Sequence, residues 1–582
     1  MNEGPVEGSP ALTGRAPDWF WSLGLFAVAF LLRVAYVLEI SDTEVARVLV
    51  GDAFAYDLWA RQIQRDWLGH EVFYQAPLYP YFLAALYSIV GPSFMAVRVT
   101  QAALGGAACV LLAGAGRRFF SRGVGLGAGL LLALYGPALF FTGLVHKMVL
   151  DLFFTTALLY ALARADERES GRWVALVGAA LGCLALTREN ALAWLPLLAG
   201  WLAWRQGARA LVPLLVGAAL VLGPVAVRNA AVGGQPFLTT SQAGVNFYLG
   251  NNADADGTYT PLRFGRGSFA QERQDAIALA ERAEGRTLTA AEVSRHWSGL
   301  AWRWISAHPA AWLELLARKW TLVWTARELP DSDEPLVYED ASVVLRATWT
   351  LSFGVLCPFA LVGLVATWPE RRRLGVLALM LLVSAASTAA FLVFARYRAP
   401  MIPILALFAA AGAARLAALA RAPDARRGLA YLGLGAASAV ATHFPRLDEG
   451  HPRAVAHYNL GVTLEGAGEV TRALDSYRAA VADDPAFAEA HVNLGALLAR
   501  GGDLEGAIGE ESAALRAKPE DATAHTDLGN ALLQLGRLDE AELHYRAALR
   551  TDPDFPSAQE GLAVLRDLRA GAAPRPSPGG PP

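Results

Sequence analysis

Two long apolar blocks constrain what this chain can fold into. Residues 19–228 and 345–443 are apolar throughout, apart from short arginine-bearing turns, whereas 229–344 and 451–570 have the composition of soluble protein. Only 18% of the 582 residues are charged, against roughly 25% in soluble domains. The pattern predicts an all-α-dominated polytopic membrane protein that carries soluble segments between and after its membrane helices.

The apolar blocks can be divided into membrane spans by length. A helix that crosses a bilayer needs about 20 mostly apolar residues, because the hydrocarbon core is about 30 Å thick. By this criterion we predict roughly eleven spans, of which those between 173 and 204 are the shortest. The predicted spans are 19–40, 95–115, 123–142, 146–164, 173–187, 190–204, 209–228, 345–367, 374–393, 398–417 and 427–443.

The arginines in the turns indicate which side of the membrane each turn faces. Segment 77–91 is apolar but short and begins with proline. If it lies along the membrane surface, the turn arginines gather on one side, and the positive-inside rule places the N-terminus in the cytoplasm. If it crosses, Arg117 and Arg118 move outside and the pattern breaks up. We therefore predict an interfacial helix at 77–91, with loops 41–94 and 229–344 outside the cytoplasm of a multi-pass bacterial inner-membrane protein.

Other sequence features exclude several kinds of protein. The net charge of −3 offers no basic surface for nucleic acid. The three cysteines, Cys109, Cys183 and Cys357, lie inside apolar segments without metal-ligand spacing, so neither a disulfide framework nor a cysteine metal site is predicted. Residues 1–18 form a polar tail without the basic start and cleavage site of a signal peptide, so 19–40 is expected to be a retained helix.

The C-terminal region contains a repeat with a period of 34 residues. A Leu-Gly pair begins at Leu460, Leu494 and Leu528, and a proline closes each unit. Glycine and alanine allow paired helices to approach closely, and the proline ends one unit before the next begins. The pattern resembles tetratricopeptide repeats. The implied repeats are about 454–487, 488–521 and 522–555.

These repeats imply an α-solenoid domain over 454–570, with a capping helix after the last repeat. The Pro/Gly-rich tail, 571–582, is expected to be disordered. Tetratricopeptide arrays bind peptides or protein surfaces, which implies protein partners, and self-association is the alternative. The second repeat departs from the pattern, because Glu511 replaces the aromatic residue that Tyr477 and Tyr545 supply.

A series of motifs from the first span to about residue 417 resembles the lipid-linked-sugar glycosyltransferases of the GT-C fold. More specifically, the motifs resemble the bacterial branch related to protein O-mannosyltransferases, of glycosyltransferase family 39 type. The resemblance implies a GT-C-like transmembrane bundle at 19–443 with its outer loops as the catalytic region. The motifs are GDAFAYDLWARQIQ and YQAPLYPYFLAALYSIVG in the first outer loop, TREN at 187–190, RNAAVGGQPF at 228–237, GVNFYLGNNADADGTYTP at 244–261 and RYRAPMIPILAL at 396–407.

The first outer loop carries the candidate catalytic acid. Asp52 matches the family's catalytic acidic position, which implies a general base that takes the proton of the acceptor hydroxyl. Asp57 lies five positions on, about 140° round a helix, and is the second candidate. On the residues alone, Asp52 could instead cap a helix that begins near Ala53. The two roles do not exclude each other.

Five cations are candidate ligands for the phosphate of the donor. Arg188, Arg228, Arg396 and Arg398 fall at the predicted outer ends of spans, and a planar guanidinium pairs bidentately with phosphate. Each could instead be an interfacial anchor. Arg396 and Arg398 belong to the RYRAP motif. Lys147, at the second outer turn, is the weaker candidate.

The loop at 244–261 is rich in Gly, Asn and Asp. Its Asn251, Asn252, Asp254 and Asp256 lack the spacing of a calcium loop. We therefore predict a loop that covers the substrate and no metal ligand. No cofactor is predicted, although the need for a divalent cation stays open.

The resemblance implies transfer of a mannosyl-type hexose from a polyprenyl-phosphate carrier to a hydroxyl outside the cytoplasm. Eukaryotic O-mannosyltransferases with luminal repeats have a similar layout, which favours a protein acceptor (O-glycosylation), with a cell-surface glycan as the other acceptor. Two alternatives are a surface-polysaccharide polymerase or ligase, and a non-catalytic membrane scaffold that recruits partners through its repeats. Such polymerases use a catalytic loop late in the chain, whereas here the acid follows the first span.

The side on which the repeats lie depends on the short segment 427–443. Its inner flank carries Arg421, Arg426 and Arg427. By the positive-inside rule the segment runs outward and places the repeats on the same side as Asp52. In the alternative, the segment lies in the inner interface and the repeats are cytoplasmic.

Overall fold

The computed structural model describes residues 18–262, 269–329, 333–421, 424–444, 452–553 and 555–570. Within these ranges every regular element is a helix, as the sequence predicted. Residues 1–17 of the predicted N-terminal tail and the predicted C-terminal tail, 571–582, lie outside the described residues.

The first part of the chain forms most of the bundle. Two of its helices, Gly171–Ala185 and Leu211–Gly233, pack backbone against backbone, because a methyl group on Gly178 or Gly217 would overlap a carbonyl of the other helix. Two 3-10 helices, Glu189–Ala193 and Ala208–Ala210, precede the α-helices that begin at Trp194 and Leu211. The α-helices are α1 (Asp18–Ile40), α2 (Glu44–Arg47), α3 (Gly51–Arg65), α4 (Leu78–Val90), α5 (Phe94–Phe119), α6 (Arg122–Leu134), α7 (Gly136–Gly143), α8 (Met148–Arg168), α9 (Gly171–Ala185), α10 (Trp194–Gln206) and α11 (Leu211–Gly233).

The predicted second outer loop folds into helices that pack on α3 and on one another. The helix Ala290–Ala307 begins with a capping box between Thr289 and Glu292, and buries Val293 and Trp297 one helical turn apart. The helices of this region are α12 (Ala243–Gly250), α13 (Phe269–Glu284), α14 (Ala290–Ala307), α15 (Pro309–Val323), α16 (Pro335–Ala341) and α17 (Val343–Trp349).

Within the described residues, four further α-helices complete the bundle. They are α18 (Phe353–Ala366), α19 (Arg371–Ala389), α20 (Ile402–Arg421) and α21 (Ala425–His443), with a 3-10 helix, Ala395–Met401, before α20. Helix α21 packs along α18. At its far end the carbonyl of Thr442 accepts from the amide of Ala326 at 2.7 Å, and His443 lies against Gly354 at the start of α18. The chain therefore leaves α21 beside the helices of the second outer loop.

Fewer helices than predicted are long and apolar enough to span a membrane. Seven helical segments in the described ranges are long and apolar enough to cross a bilayer, and the bent pair α6–α7, with an angle of 49°, would make an eighth. The other three predicted spans form α9, α10 and α21, which are too short or too weakly apolar. Helix α9 has 15 residues and rises only about 22 Å, so the turn after it at Arg188 is recessed in the bundle. Helix α4, predicted at 77–91 as interfacial, has 13 residues.

The predicted tetratricopeptide repeats are confirmed as three helical hairpins with a further helix after them. Tyr477 of the first hairpin and Tyr545 of the third lie over Gly461 and Gly529. Glu511 occupies the same place in the second hairpin. The helices are α22 (Pro452–Gly466), α23 (Val470–Asp483), α24 (Ala488–Arg500), α25 (Leu504–Ala517), α26 (Ala522–Gln534), α27 (Leu538–Thr551) and α28 (Pro556–Arg569).

Candidate active site

Helix α3 presents Asp52 in its first turn. Val50 is extended, Gly51 has a φ of +55°, and the helix begins at Gly51. The free N–H groups of a first helical turn favour a negative charge nearby. Because the helix begins two residues before Ala53, Asp52 is inside it, and Val50 takes the capping position without a side-chain hydrogen bond.

Asp52 forms an ion pair with Arg396, which lies 344 residues further along the chain. Arg396 comes from the 3-10 helix before α20, and its guanidinium also lies 3.3 Å from Nε2 of His146. Tyr56, one turn along α3, donates to the Asp52 carboxylate at 3.4 Å. The structure thus joins the predicted base to one of the predicted phosphate ligands.

Two opposing effects determine whether the Asp52 carboxyl is ionised. Burial alone would raise the pKa of its carboxyl, but Arg396, with His146 and Lys147 further away, lowers that pKa to about 2. Asp52 is therefore ionised at every physiological pH. In this state it is also a weak base, because its negative charge is already stabilised by Arg396.

A second ion pair lies deeper in the same cluster. Arg188, in the turn after α9, donates through Nε and Nη2 to one carboxylate oxygen of Asp151 at 2.9 and 2.7 Å. Both side chains are buried. The Arg188 guanidinium also lies 4.9 Å from the ring centre of Tyr397, the residue between the two arginines of the RYRAP motif. The Arg188–Asp151 ion pair therefore forms the side of the site next to Tyr397, behind Arg396.

Lys147 lies in the turn between α7 and α8, next to His146. Its side chain is buried, and within the described ranges no group accepts a hydrogen bond from its ammonium. Glu189, Arg188 and Asp151 are close enough to act on its charge. The Nζ of Lys147 is not among the fully buried atoms that lack a partner in the described ranges, so the ammonium keeps contact with the open side of the site. Lys147 is thus the predicted cation with the most capacity left for a phosphate.

Arg228 and Arg398 are held by other parts of the protein. Arg228 donates to the carbonyls of Leu68 and Glu71 and so anchors the loop between α3 and α4. Arg398 is buried and donates to the Glu328 carboxylate at 2.5 Å and to two nearby carbonyls. The structure does not bring either guanidinium to Asp52.

Asp57 joins α3 to its neighbour α4. Its carboxylate accepts from Nε of Arg61 at 2.8 Å and from the hydroxyl of Tyr87 at 2.8 Å. Both of its oxygens are therefore used by the protein itself. The structure places Asp57 one and a half helical turns from Asp52 and outside the charged cluster around Arg396.

Sequence reasoning missed Glu272, a half-buried acid on α13. It accepts from the hydroxyls of Tyr259 at 2.7 Å and Tyr74 at 3.4 Å. Burial raises the pKa of Glu272, and the negative charge of Asp52 adds to that effect. The signal was its spacing, because 272 lies one and two helical turns before the buried Ala276 and Ala280.

A small pocket of about 20 Å³ adjoins the ion pair. Its polar lining residues are His146 and Arg396 together with the acids Glu328 and Asp333, and the other lining residues are apolar. The pocket is too small for a lipid chain as it stands, but its apolar residues lie beside Arg396. The apolar lining residues are Pro137, Phe140, Phe141, Leu144, Leu329, Pro335, Trp349 and Ala395.

The Asx residues of loop 244–261 stabilise turns. Asn252 donates to the carbonyl of Tyr248, and Asp256 accepts from the amide and hydroxyl of Thr258. In the described part of the chain no group of three or more His, Cys, Asp or Glu side chains is arranged to hold a metal ion.

Residues 74–228 match the family model described as dolichyl-phosphate-mannose-protein mannosyltransferase. Residues 458–522, 512–556 and 526–572 match the tetratricopeptide repeat model. A comparison with curated proteins gives no match. The chain therefore contains a mannosyltransferase-type membrane segment followed by tetratricopeptide repeats, which points to a membrane glycosyltransferase that uses a lipid-linked sugar.

Solved structures of GT-C glycosyltransferases are similar at low identity. The oligosaccharyltransferase AglB from Archaeoglobus fulgidus, in complex with an inhibitory peptide and a dolichol-phosphate, is 14% identical with a TM-score of 0.41; the match covers 78% of this chain and 59% of that chain. ArnT from Cupriavidus metallidurans bound to undecaprenyl phosphate is 14% identical with a TM-score of 0.38; the match covers 91% of this chain and 80% of that chain. The S. cerevisiae Pmt1–Pmt2 complex bound to the sugar donor is 15% identical with a TM-score of 0.31; the match covers 38% of this chain and 34% of that chain.

Proposed function

We propose that this protein transfers a mannosyl-type hexose from a polyprenyl-phosphate carrier to an acceptor hydroxyl outside the cytoplasm of a bacterium. The observation that carries the proposal is the ion pair between Asp52 and Arg396. It joins a carboxylate that can take a proton to a guanidinium that can bind a phosphate. The family match of residues 74–228 supports the choice of sugar and carrier.

Asp52 is the proposed general base. The acceptor oxygen forms a bond to the anomeric carbon while the bond from that carbon to the phosphate oxygen breaks. The hydroxyl proton passes to the Asp52 carboxylate, and the polyprenyl phosphate leaves with the bonding electrons. Asp52 keeps 19% of its side chain exposed, so a hydroxyl can reach it from the open side of the site.

Arg396 connects the two halves of this reaction. In the unliganded protein it holds Asp52 ionised and weakly basic. A phosphate bound to Arg396 would share the positive charge and weaken its hold on Asp52, so the pKa of Asp52 would rise. The base would then become effective only once the donor is bound.

We assign direct contact with the phosphate to Arg396 and Lys147. Arg188 acts without direct contact with the phosphate, because its guanidinium already pairs with the buried carboxylate of Asp151. We assign Arg228 and Arg398 to holding the outer loops, since their donors are used by backbone carbonyls and, for Arg398, a carboxylate. The apolar residues beside Arg396, among them Phe141 and Leu144, are a suitable surface for the first part of the apolar carrier.

We propose a polypeptide as acceptor, bound by the tetratricopeptide repeats on the same side of the membrane as Asp52. The course of α21 supports this side, because the helix packs along α18 and ends beside Ala326 of the second outer loop. A chain that leaves α21 there cannot place its repeats at the opposite end of the bundle without crossing it again.

Transfer of a labelled hexose by the full chain in lipid nanodiscs tests the proposal. Asp52→Asn should fold normally and lose roughly 10²- to 10⁴-fold in rate, the usual contribution of a general base. Asp66→Asn, at the end of the same helix, is the matched control and should keep the wild-type rate. A folded Asp52→Asn variant with near wild-type rate would show that Asp52 is not the base.

The acceptor class is tested separately, by mass spectrometry of a strain that lacks the protein. Loss of a hexose from secreted proteins supports O-glycosylation. Loss of a repeating surface polymer would instead indicate a polymerase or ligase. Unchanged glycans together with lost protein partners would indicate a scaffold.

A further inference from the structure

The segment that leads into the catalytic helix lies between two apolar cores. It runs from Val48 to Val50, immediately before Gly51. Leu49 is buried in the core formed by α3 and α4. Val48 and Val50 pack against the core of the first tetratricopeptide hairpin and the helix that follows it. Alternate residues of an extended chain point in opposite directions, so this segment joins the two cores directly.

Further contacts hold the same junction. The carbonyl of Ala46 accepts from Arg98 at 2.6 Å, and the same guanidinium donates to the carbonyl of Gly143. These bonds fix the start of the segment to the bundle. On the repeat side, Arg453 of α22 pairs with Asp340 of α16 at 2.8 Å. That pair is half-exposed, so it contributes more to orientation than to stability.

The junction is two residues from Asp52. Val50 is extended, Gly51 turns the chain with a positive φ, and α3 then begins. A shift of Val50 therefore moves the first turn of α3 with it. Reaction rates depend steeply on such shifts, since a displacement of about 1 Å can cost about 100-fold.

We infer that the first tetratricopeptide repeat is a positioning part of the catalytic centre, which seats the segment Val48–Val50 and thereby holds Asp52 against Arg396. The inference rests on the proposed role of Asp52 as base. It assigns the repeats a task in the chemical step in addition to binding a partner.

The test is the double variant Val48→Ala plus Val50→Ala in the full chain, since alanine, like valine, cannot cap α3 at position 50. The matched control is Val455→Ala plus Val462→Ala, which removes the same groups from exposed positions of the first repeat. We expect kcat of the junction variant to fall roughly 10- to 100-fold, with the donor KM unchanged. The pair Val48→Ile plus Val50→Ile, which restores apolar contact, should recover most of the rate.

Hydrogen exchange supplies a readout that does not depend on transferase activity. Amides 52–60 should lose protection in the junction variant and keep it in the control. A wild-type kcat with unchanged protection would overturn the inference, as would an equal loss in the control or a rise in donor KM as large as the fall in kcat. If the wild-type chain transfers no sugar, the proposed function fails, and the exchange experiment still decides whether the repeat seats this segment.

Discussion

At the scale of residues, the two arginines of the RYRAP motif have different surroundings. They are two positions apart in a 3-10 helix, which turns about 120° per residue, so their side chains leave the helix in different directions. Arg396 meets Asp52, whereas Arg398 meets Glu328. A motif can therefore name both arginines, but it cannot say which one faces the reaction.

The two arginines should respond differently to Lys substitution. Arg396→Lys keeps the charge and loses the bidentate fork, so we expect the donor KM to rise roughly 10- to 150-fold, as for loss of a charged hydrogen bond worth about 1.5–3 kcal/mol. Arg398→Lys should lower the thermal unfolding temperature and leave the donor KM within about twofold of wild type. Steady-state kinetics with varied donor, together with thermal unfolding, measure both effects. An unchanged donor KM in Arg396→Lys would remove Arg396 from the phosphate site.

The pH dependence of the rate should reveal the Asp52–Arg396 pair. The pKa of Asp52 is lowered to about 2 without donor, so kcat/KM should show no acid limb from this group above about pH 4. With donor bound, the pKa of Asp52 should be higher, so the acid limb of kcat should lie at a higher pH. The same lowered pKa stabilises the fold at neutral pH, and this contribution is lost as pH falls from about 4 towards 2. If the acid limbs of kcat and of kcat/KM lay at the same pH, this would contradict the proposal that Arg396 is shared between Asp52 and the phosphate.

Sequence reasoning named most of the charged groups of the site and could not pair them. Asp52 and Arg396 lie 344 residues apart, and only the packed bundle brings them together. Lys147 was the weaker prediction, yet no group in the described ranges accepts a hydrogen bond from its ammonium. Glu272 was missed because a single acid on an amphipathic helix is usually solvated.

At the scale of elements, helices were predicted well and their membrane role less well. A hydropathy pattern cannot separate a helix that is apolar because it faces lipid from one that is apolar because it is packed in protein. In α8, 72% of the apolar window is buried by other helices. Helices α9 and α10 are also apolar, yet with 15 and 13 residues they are shorter than a membrane span needs.

The second repeat contains a buried acid whose cost can be measured. Both carboxylate oxygens of Glu511 lack a hydrogen-bond partner in the described ranges, and burial, with Asp527, Asp521 and Glu510 nearby, raises its pKa to about 10. A raised pKa destabilises the fold as pH rises above about 4.3, the value in the unfolded chain, and up to the folded pKa.

Glu511→Gln should therefore stabilise the repeats by roughly 1–3 kcal/mol at pH 8 and by much less near pH 4.5. The difference in stability between variant and wild type is measured by thermal unfolding of the full chain, monitored by limited proteolysis within 488–521. Glu520→Gln is the control, since it removes an exposed acid of the same repeat that is not among the groups acting on Glu511, and it should not stabilise. A Gln variant with no gain at pH 8 would mean that Glu511 is solvated.

At the scale of the whole molecule, the side of the repeats is the decisive question. The sequence predicted an outward course for 427–443 from its flanking arginines, and α21 in the structure runs from Ala425 to a contact with Ala326. Periodic repeats are easy to recognise from sequence because each unit depends only on its neighbours. Their attachment to the bundle could not be predicted, because it depends on a short loop whose residues have no repeating pattern.

Labelling of a single cysteine should locate the repeats. Asp475→Cys is at an exposed position of the first repeat and should react with a membrane-impermeant thiol reagent in intact cells. Ser476, beside it, is buried and unsuitable. Arg372→Cys, at an exposed turn on the predicted inner side, is the control and should react only after the membrane is broken. If the cysteine of Asp475→Cys also reacted only after the membrane is broken, the repeats would be in the cytoplasm and could not bind the acceptor.

The contact between the first repeat and Val48–Val50 also limits how an acceptor would be chosen. A polypeptide bound to the array would be tethered close to the reacting groups, and a short tether gives an effective concentration in the millimolar range. The active site would then need little affinity of its own for the residues around the hydroxyl. Recognition would reside in the repeats, and one bound polypeptide could receive several sugars at different hydroxyls before it dissociates.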